Sequence, residues 1–266
     1  HADLEGQLTF SVNFSDQSGN QGVSVTSTTD NSSVRFDKTS PTAALSFSAP
    51  GPYRQGETVT ITVDYNESML TTSTPRLKVI LEDGNSVSEI MNWASGMDNR
   101  SSFDFLMRSG NGIAEVKLDE ALDLAGNEVI PDPTEGGQFK LDNLPPSAFI
   151  SYQDGSGSPY PGPYRQGADN VTMIVDFSEE MEATPSLNLM GAIAINDLPL
   201  TLDQTNPKRY RHTLSIPAGD GLVQVSLHGA DPAGNQVQTM PTSGDNFTLD
   251  NTAPTGSLTF SSLGAQ

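Results

Sequence analysis

The sequence predicts an all-β protein built from tandem antiparallel β-sandwiches of about seven strands each. Three observations point there. Short phrases recur in a fixed order about 110 residues apart, apolar and polar residues alternate along short runs, and the composition favours turns over helices.

The repeat comes first. Gly51-Pro52-Tyr53-Arg54-Gln55-Gly56 returns letter for letter as Gly162-Pro163-Tyr164-Arg165-Gln166-Gly167. Asp64-Tyr65-Asn66-Glu67-Ser68-Met69 returns as Asp176-Phe177-Ser178-Glu179-Glu180-Met181, and Asp123-Leu124-Ala125-Gly126-Asn127 as Asp231-Pro232-Ala233-Gly234-Asn235. A weaker copy of the last phrase is Asp16-Gln17-Ser18-Gly19-Asn20. A closing phrase occurs three times, around Asp37-Lys38, Asp142-Asn143 and Asp250-Asn251. The expected segmentation is the tail of one repeat at 1–37, complete repeats at 38–142 and 143–250, and the opening strand of another at 251–266.

Within a repeat the period is two, the mark of half-buried strands. Ala43-Leu45-Phe47 opens the series. Val59, Ile61, Val63 and Tyr65 follow, alternating with Thr58, Thr60, Thr62 and Asp64; the second copy has Val171, Met173, Val175 and Phe177. Leu77-Val79-Leu81, Phe103-Phe105, Ala114-Val116-Leu118 and Phe139-Leu141 complete the pattern. Roughly seven strands per 100 residues is the immunoglobulin-like count. A single helical turn at Asp119–Leu122 is the most helix the pattern allows.

Composition narrows the function. Charged residues are 17% and the net charge is −20, so the surface repels nucleic acid and anionic lipid and attracts cations, Ca²⁺ above all. Cysteine is absent, which removes disulfides and thiol chemistry. No apolar run is long enough to span a membrane, and no signal peptide is recognisable. With His1 beginning mid-pattern, the chain reads as an internal piece of a longer one.

The phrases D-x-A-G-N and F-x-L-D-N-T-A-P-T, preceded by Y-R-Q-G and a strand ending F-S-E-E-M, resemble the bacterial immunoglobulin-like repeats of giant surface adhesins. The resemblance covers the whole chain. It implies a secreted, multi-domain, rod-like protein on a bacterial surface or appendage, often with Ca²⁺ at its domain junctions. The first fragment departs most, since Asp16–Asn20 lacks the alanine and Asp37-Lys38 replaces Asp-Asn.

No residue set reads as catalytic. Glu179-Glu180 repeats at one position only, as Glu67-Ser68, and His1, His212 and His228 stand in no nucleophile motif. The alternating threonines are what strands prefer. The repeated Tyr-Arg is read as a turn, with the ring packed under the sandwich, over the alternative of a ligand-reading pair whose aromatic stacks on a sugar. Trp93, in the divergent stretch Met91–Met97, is read as a partly buried edge residue or an exposed adhesive one.

Topology gathers the carboxylates. Strands alternate direction, so the B–C and F–G loops share the pole at which the chain enters a sandwich. Glu67 and Asp123 should therefore lie beside Asp37, and Glu179, Glu180 and Asp231 beside Asp142 and Asn143. Such a cluster needs a cation, and hard oxygen ligands suit Ca²⁺. The alternative is an arginine clamp across the junction by Arg54, with Arg165 its counterpart in the next repeat. The expected function is a structural stalk or spacer, with further repeats of the same polypeptide and a homo-oligomeric filament as partners. The alternative is an adhesive module that grips a glycan or protein through its divergent loops, around Trp93 and Gln153–Pro161.

Overall fold

The computed structural model describes residues 4–160, 162–167 and 170–260. His1, Pro161 and the last part of the expected 251–266 strand lie outside them. The chain divides into two compact units, His1–Leu141 and Asp142–Gln266. Among the described residues there is no helix.

The first unit opens with a short antiparallel pair, β1 (Gly6–Gln7) and β2 (Arg35–Phe36). Its sandwich follows: β3 (Ala43–Phe47), β4 (Thr58–Tyr65), β5 (Arg76–Ile80), β6 (Ser86–Ile90), β7 (Asn92–Trp93), β8 (Arg100–Leu106), β9 (Gly112–Asp119) and β10 (Gln138–Leu141). One sheet runs β3-β4-β8-β7 and the other β10-β9-β5-β6, all antiparallel. In immunoglobulin-like lettering this is A-B-E-D facing G-F-C-C′.

The second unit repeats the plan with β11 (Ala148–Gln153), β12 (Asn170–Phe177), β13 (Ser186–Gly191), β14 (Ile195–Pro199), β15 (Thr201–Leu202), β16 (Arg209–Ser215), β17 (Gly221–His228) and β18 (Asn246–Leu249). Its sheets run β11-β12-β16-β15 and β14-β13-β17-β18, the same order strand for strand.

Alternation decides what faces inward. Val59, Ile61, Val63 and Tyr65 on β4 are at most 4% exposed, as are Val171, Met173, Val175 and Phe177 on β12. They pack against Val116 and Leu118 of β9, or Val225 and Leu227 of β17, in one apolar cluster per sandwich. Full burial of such a side chain stabilises by roughly 1.5–3 kcal/mol. On the outer face, Asp64 pairs with Arg100 directly opposite it, and Asp176 with Arg209 at 2.7 Å.

Each sandwich has eight strands. C′ and D escape a count by alternation because β6 lies at an edge with no fully buried residue and β7 is two residues long. Asp119–Leu122 forms no helical turn. Glu120 takes a left-handed φ of 56°, its amide bonds the Asp119 carboxylate at 2.9 Å, and Leu122 bridges Glu128 instead.

The repeated Y-R-Q-G is a turn built on its tyrosine. Tyr53 and Tyr164 are almost fully buried, and their hydroxyls donate to the carbonyls of Ala49 and Tyr160. Their amides bond Lys140 and Thr248 carbonyls at 2.9 Å, tying the A–B turn to the last strand. Arg54 pairs with Glu57 of its own turn at 3.5 Å, and Arg165 follows Tyr164 in the matching turn.

Candidate functional site

The F–G loop is assembled around a buried carboxylate. Asp123 is 1% exposed and Asp231 is fully buried. Asp123 Oδ1 accepts from the Ala125 and Asn127 amides at 2.8 Å, and Oδ2 from Asn127 Nδ2 at 2.8 Å. Asp231 receives the same pair from Asn235, both at 2.9 Å. Gly126 and Gly234 hold φ of 92° and 82°, a left-handed conformation that explains the invariant letter between alanine and asparagine. Asp16 builds the same loop without the alanine, with Asn20 bonded at 2.9 and 2.8 Å and Gly19 at φ 87°.

This loop meets the linker. Asn127 Nδ2 also donates to the Asp37 carbonyl at 3.3 Å, and Asn235 Nδ2 to the Asp142 carbonyl at 2.9 Å. Each linker aspartate turns its carboxylate onto the amide two residues ahead: Thr39 at 3.1 Å, Leu144 at 3.3 Å and, after the second sandwich, Thr252 from Asp250 at 3.1 Å. The glutamate after strand B comes to the same place. In the first unit, carboxylate oxygens of Asp37, Glu67 and Asp123 lie within 4.8 Å of one another; in the second, those of Asp142, Glu179 and Asp231 do.

Glu180, also nominated from sequence, lies outside its triad. It is exposed and stands near Tyr210, whose phenol is raised first by burial and then by that charge. Asn143 is half-buried beside Asp142 in the linker. A basic group that sequence reasoning passes over is Arg35, on β2. It lies 4.0 Å from Asp37 and, with Asp37, Glu67, Ser68, Asp123, Leu124 and Ala125, lines a cavity of about 450 Å³.

Electrostatics separate the members. Burial, then the charges of Asp123 and Asp37, push the Glu67 carboxyl above its ordinary value, while Arg35 pulls the other way. Burial alone would raise Asp123 too, but its bonds from the Asn127 side chain and the loop amides outweigh that and hold it low. Thus one acid is made costly to ionise while another is locked as a carboxylate, an arrangement that a cation relieves.

The donor set fits a hard divalent ion. Two oxygens that share a Ca²⁺ at about 2.4 Å can be no more than about 4.8 Å apart, and within each group of three the carboxylates meet that limit.

The divergent loops are occupied by packing. Trp93 is partly buried, its indole N–H donates to the Ser73 carbonyl at 3.0 Å, and its ring lies 5.6 Å from Tyr65. In Gln153–Pro161, Asp154 caps a tight turn through the Ser156 and Ser158 amides, at 2.9 and 3.0 Å. Tyr160 then stands edge-on to Tyr164 at 5.2 Å. His212 lies on β16, with Nδ1 2.8 Å from the Pro199 carbonyl.

The asparagines of the two loops are the other residues missed from sequence. Their signal was present, since Asn closes the phrase in all three copies, but a repeated letter does not disclose a second hydrogen-bond partner about 90 residues upstream. No protein-family model and no curated protein matches the chain.

Proposed function

We propose that this chain is a pair of spacer repeats from a long, extracellular, non-catalytic surface protein of the kind its repeated phrases resemble. Its work is reach and stiffness, as a stalk or as one strand of a filament. The observation that carries the reading is the recurrence of one three-carboxylate arrangement, on the same loops, in successive sandwiches. A catalytic or ligand-reading feature has no reason to recur at each linker. A device for stiffening linkers does, because small contacts between domains otherwise permit motion.

The proposed partner of each triad is Ca²⁺. The carboxylates at 37, 67 and 123, and at 142, 179 and 231, would be its ligands, with Asn143 and Glu180 beside the second site. The basic alternative is an arginine clamp, by Arg54 or Arg165 across a junction or by Arg35 at the first triad.

Calorimetric titration of the full chain with CaCl₂ tests the metal. Binding at two sites is expected, with a melting temperature that rises with Ca²⁺ and falls on chelation. Saturation a hundredfold above Kd would contribute about 2.7 kcal/mol. No heat and no thermal shift at millimolar Ca²⁺ would remove the metal from the proposal and leave the arginine clamp, which Arg35→Ala, Arg54→Ala and Arg165→Ala then probe.

A further inference from the structure

We propose that Asn127 and Asn235 are linker-positioning residues: each is a neutral latch that fixes where the chain enters its sandwich, independently of any cation. The inference goes beyond the spacer reading and does not need Ca²⁺.

An asparagine amide carries two hydrogens and can serve two acceptors at once. In both complete repeats Nδ2 does so. One acceptor is the buried aspartate of its own loop and the other is the backbone carbonyl of the linker aspartate about 90 residues away, at 3.3 Å for Asn127 and 2.9 Å for Asn235. The aspartate end is held by burial and by the loop amides, so the amide cannot swing without abandoning a carboxylate that has little water to replace it.

A second bond sets direction as well as position. In the first unit the Ile130 amide bonds the Pro41 carbonyl at 2.9 Å, and in the second Gln238 bonds that of Pro146 at 2.9 Å. Each linker is therefore gripped at two carbonyls four residues apart by two points of one loop segment. Side chains at Asp37 and Asp142 are not part of this grip, which uses their carbonyls.

Asn20 supplies an internal control. It makes the same two bonds to Asp16, so Asn20→Ala removes the same side-chain bond from the same loop at an exposed aspartate. The test is amide exchange and ¹⁵N relaxation on the full chain in chelator. Asn235→Ala is expected to speed exchange of the Leu144 and Ser147 amides about five- to tenfold, the loss of one or two modest hydrogen bonds, while Thr39 and Thr42 are unchanged. Asn127→Ala should do the converse, and Asn20→Ala neither. Should an alanine variant fail to fold, Asn235→Asp keeps the shape and removes both donors at neutral pH, and the same amides are read. Unchanged linker exchange in a folded variant overturns the proposal. So does loosening of both linkers by either variant, which would report general destabilisation.

Discussion

Tyr65 and Phe177 end the same strand in the two sandwiches, and each packs against one further aromatic ring, but the ring comes from different strands. In the first sandwich it is Trp93 on strand D, 5.6 Å away; in the second it is Tyr210 on strand E, also at 5.6 Å. Register shows the exchange. Trp93 pairs with Ser101 across the first D–E ladder, and Leu202 pairs with Tyr210 across the second. Large and small have swapped places, and the buried Ser101 hydroxyl lies 3.2 Å from that of Tyr65. The aromatic partner is kept while the strand that supplies it changes. Trp93 thus has a structural counterpart in the second repeat, one strand away from where an alignment would look.

Features held at the same position in both copies should then cost the same in both. Gly136 and Gly244 are the sharpest case, with φ of 68° and 73°. A Cβ at Gly136 would lie 3.0 Å from Leu45 Cβ and inside contact distance of the Leu45 carbonyl oxygen, and one at Gly244 would meet Ile150 the same way. Rigid backbone on strand A cannot yield as a side-chain tip can. Gly136→Ala and Gly244→Ala are each expected to destabilise their own sandwich by about 3 kcal/mol, combining left-handed strain with overpacking. For a domain of this size that is a fall of roughly 10–20 °C in melting temperature. Trp93 is the sole tryptophan, so its fluorescence follows the first sandwich while circular dichroism follows both. A fall under 1 kcal/mol in either copy would break the equivalence.

Where the copies differ, the cost should fall on one alone. Tyr160 occupies the position of Ala49: each offers its carbonyl to the buried turn tyrosine, but only Tyr160 adds a ring against it, with its hydroxyl bonded to the Pro163 carbonyl at 2.9 Å. In the first sandwich that side of Tyr53 opens to a groove lined by Phe47, Pro50, Pro52 and Phe139. Tyr160→Ala should cost the second sandwich about 1–3 kcal/mol, for one edge-on pair and one hydrogen bond. Ala49→Tyr should leave the first unharmed or raise its melting point. A lowered melting point for Ala49→Tyr would mean that the two turns are less alike than their tyrosines suggest.

These contrasts mark what could be read from sequence. Alternation identifies strand B because every second residue is buried, and it misses C′ because that strand has no fully buried residue. Strand direction alone brings Asp142, Glu179 and Asp231 to one loop cluster, without saying what the cluster holds. Arg35, two residues before Asp37, hides in a strand of two residues, and the second partner of Asn127 and Asn235 is set by a linker no local pattern reaches. Nothing local in the sequence singles out Gly136 and Gly244, because the obstacle to a side chain there is a carbonyl about 90 residues upstream.

The smallest expected effect lies in the D–E turn, where Asp203 stands in the place of Ala94. The turns share a frame: the amides of Ala94 and Asp203 bond the carbonyls of Arg100 and Arg209, at 2.9 and 2.8 Å. Only Asp203 adds a carboxylate, which accepts from the Thr205 hydroxyl at 2.7 Å and amide at 3.0 Å and pairs with Arg211. Those bonds, the Thr205 side chain first, pull its carboxyl from 3.8 down to about 2. A depressed carboxyl contributes stability that is fully present above its unfolded value of 3.8 and lost as pH falls through about 2. Asp203→Ala should therefore lower the melting temperature of the second sandwich by roughly one or two degrees at pH 7, as befits a surface turn whose pairing arginine is exposed. The gap to the parent should close between pH 4 and pH 2, and the Trp93 transition of the first sandwich should not respond. A gap that persists at pH 2 would show that the turn needs the side chain's shape and not its charge, and the two D–E turns would then differ by packing alone.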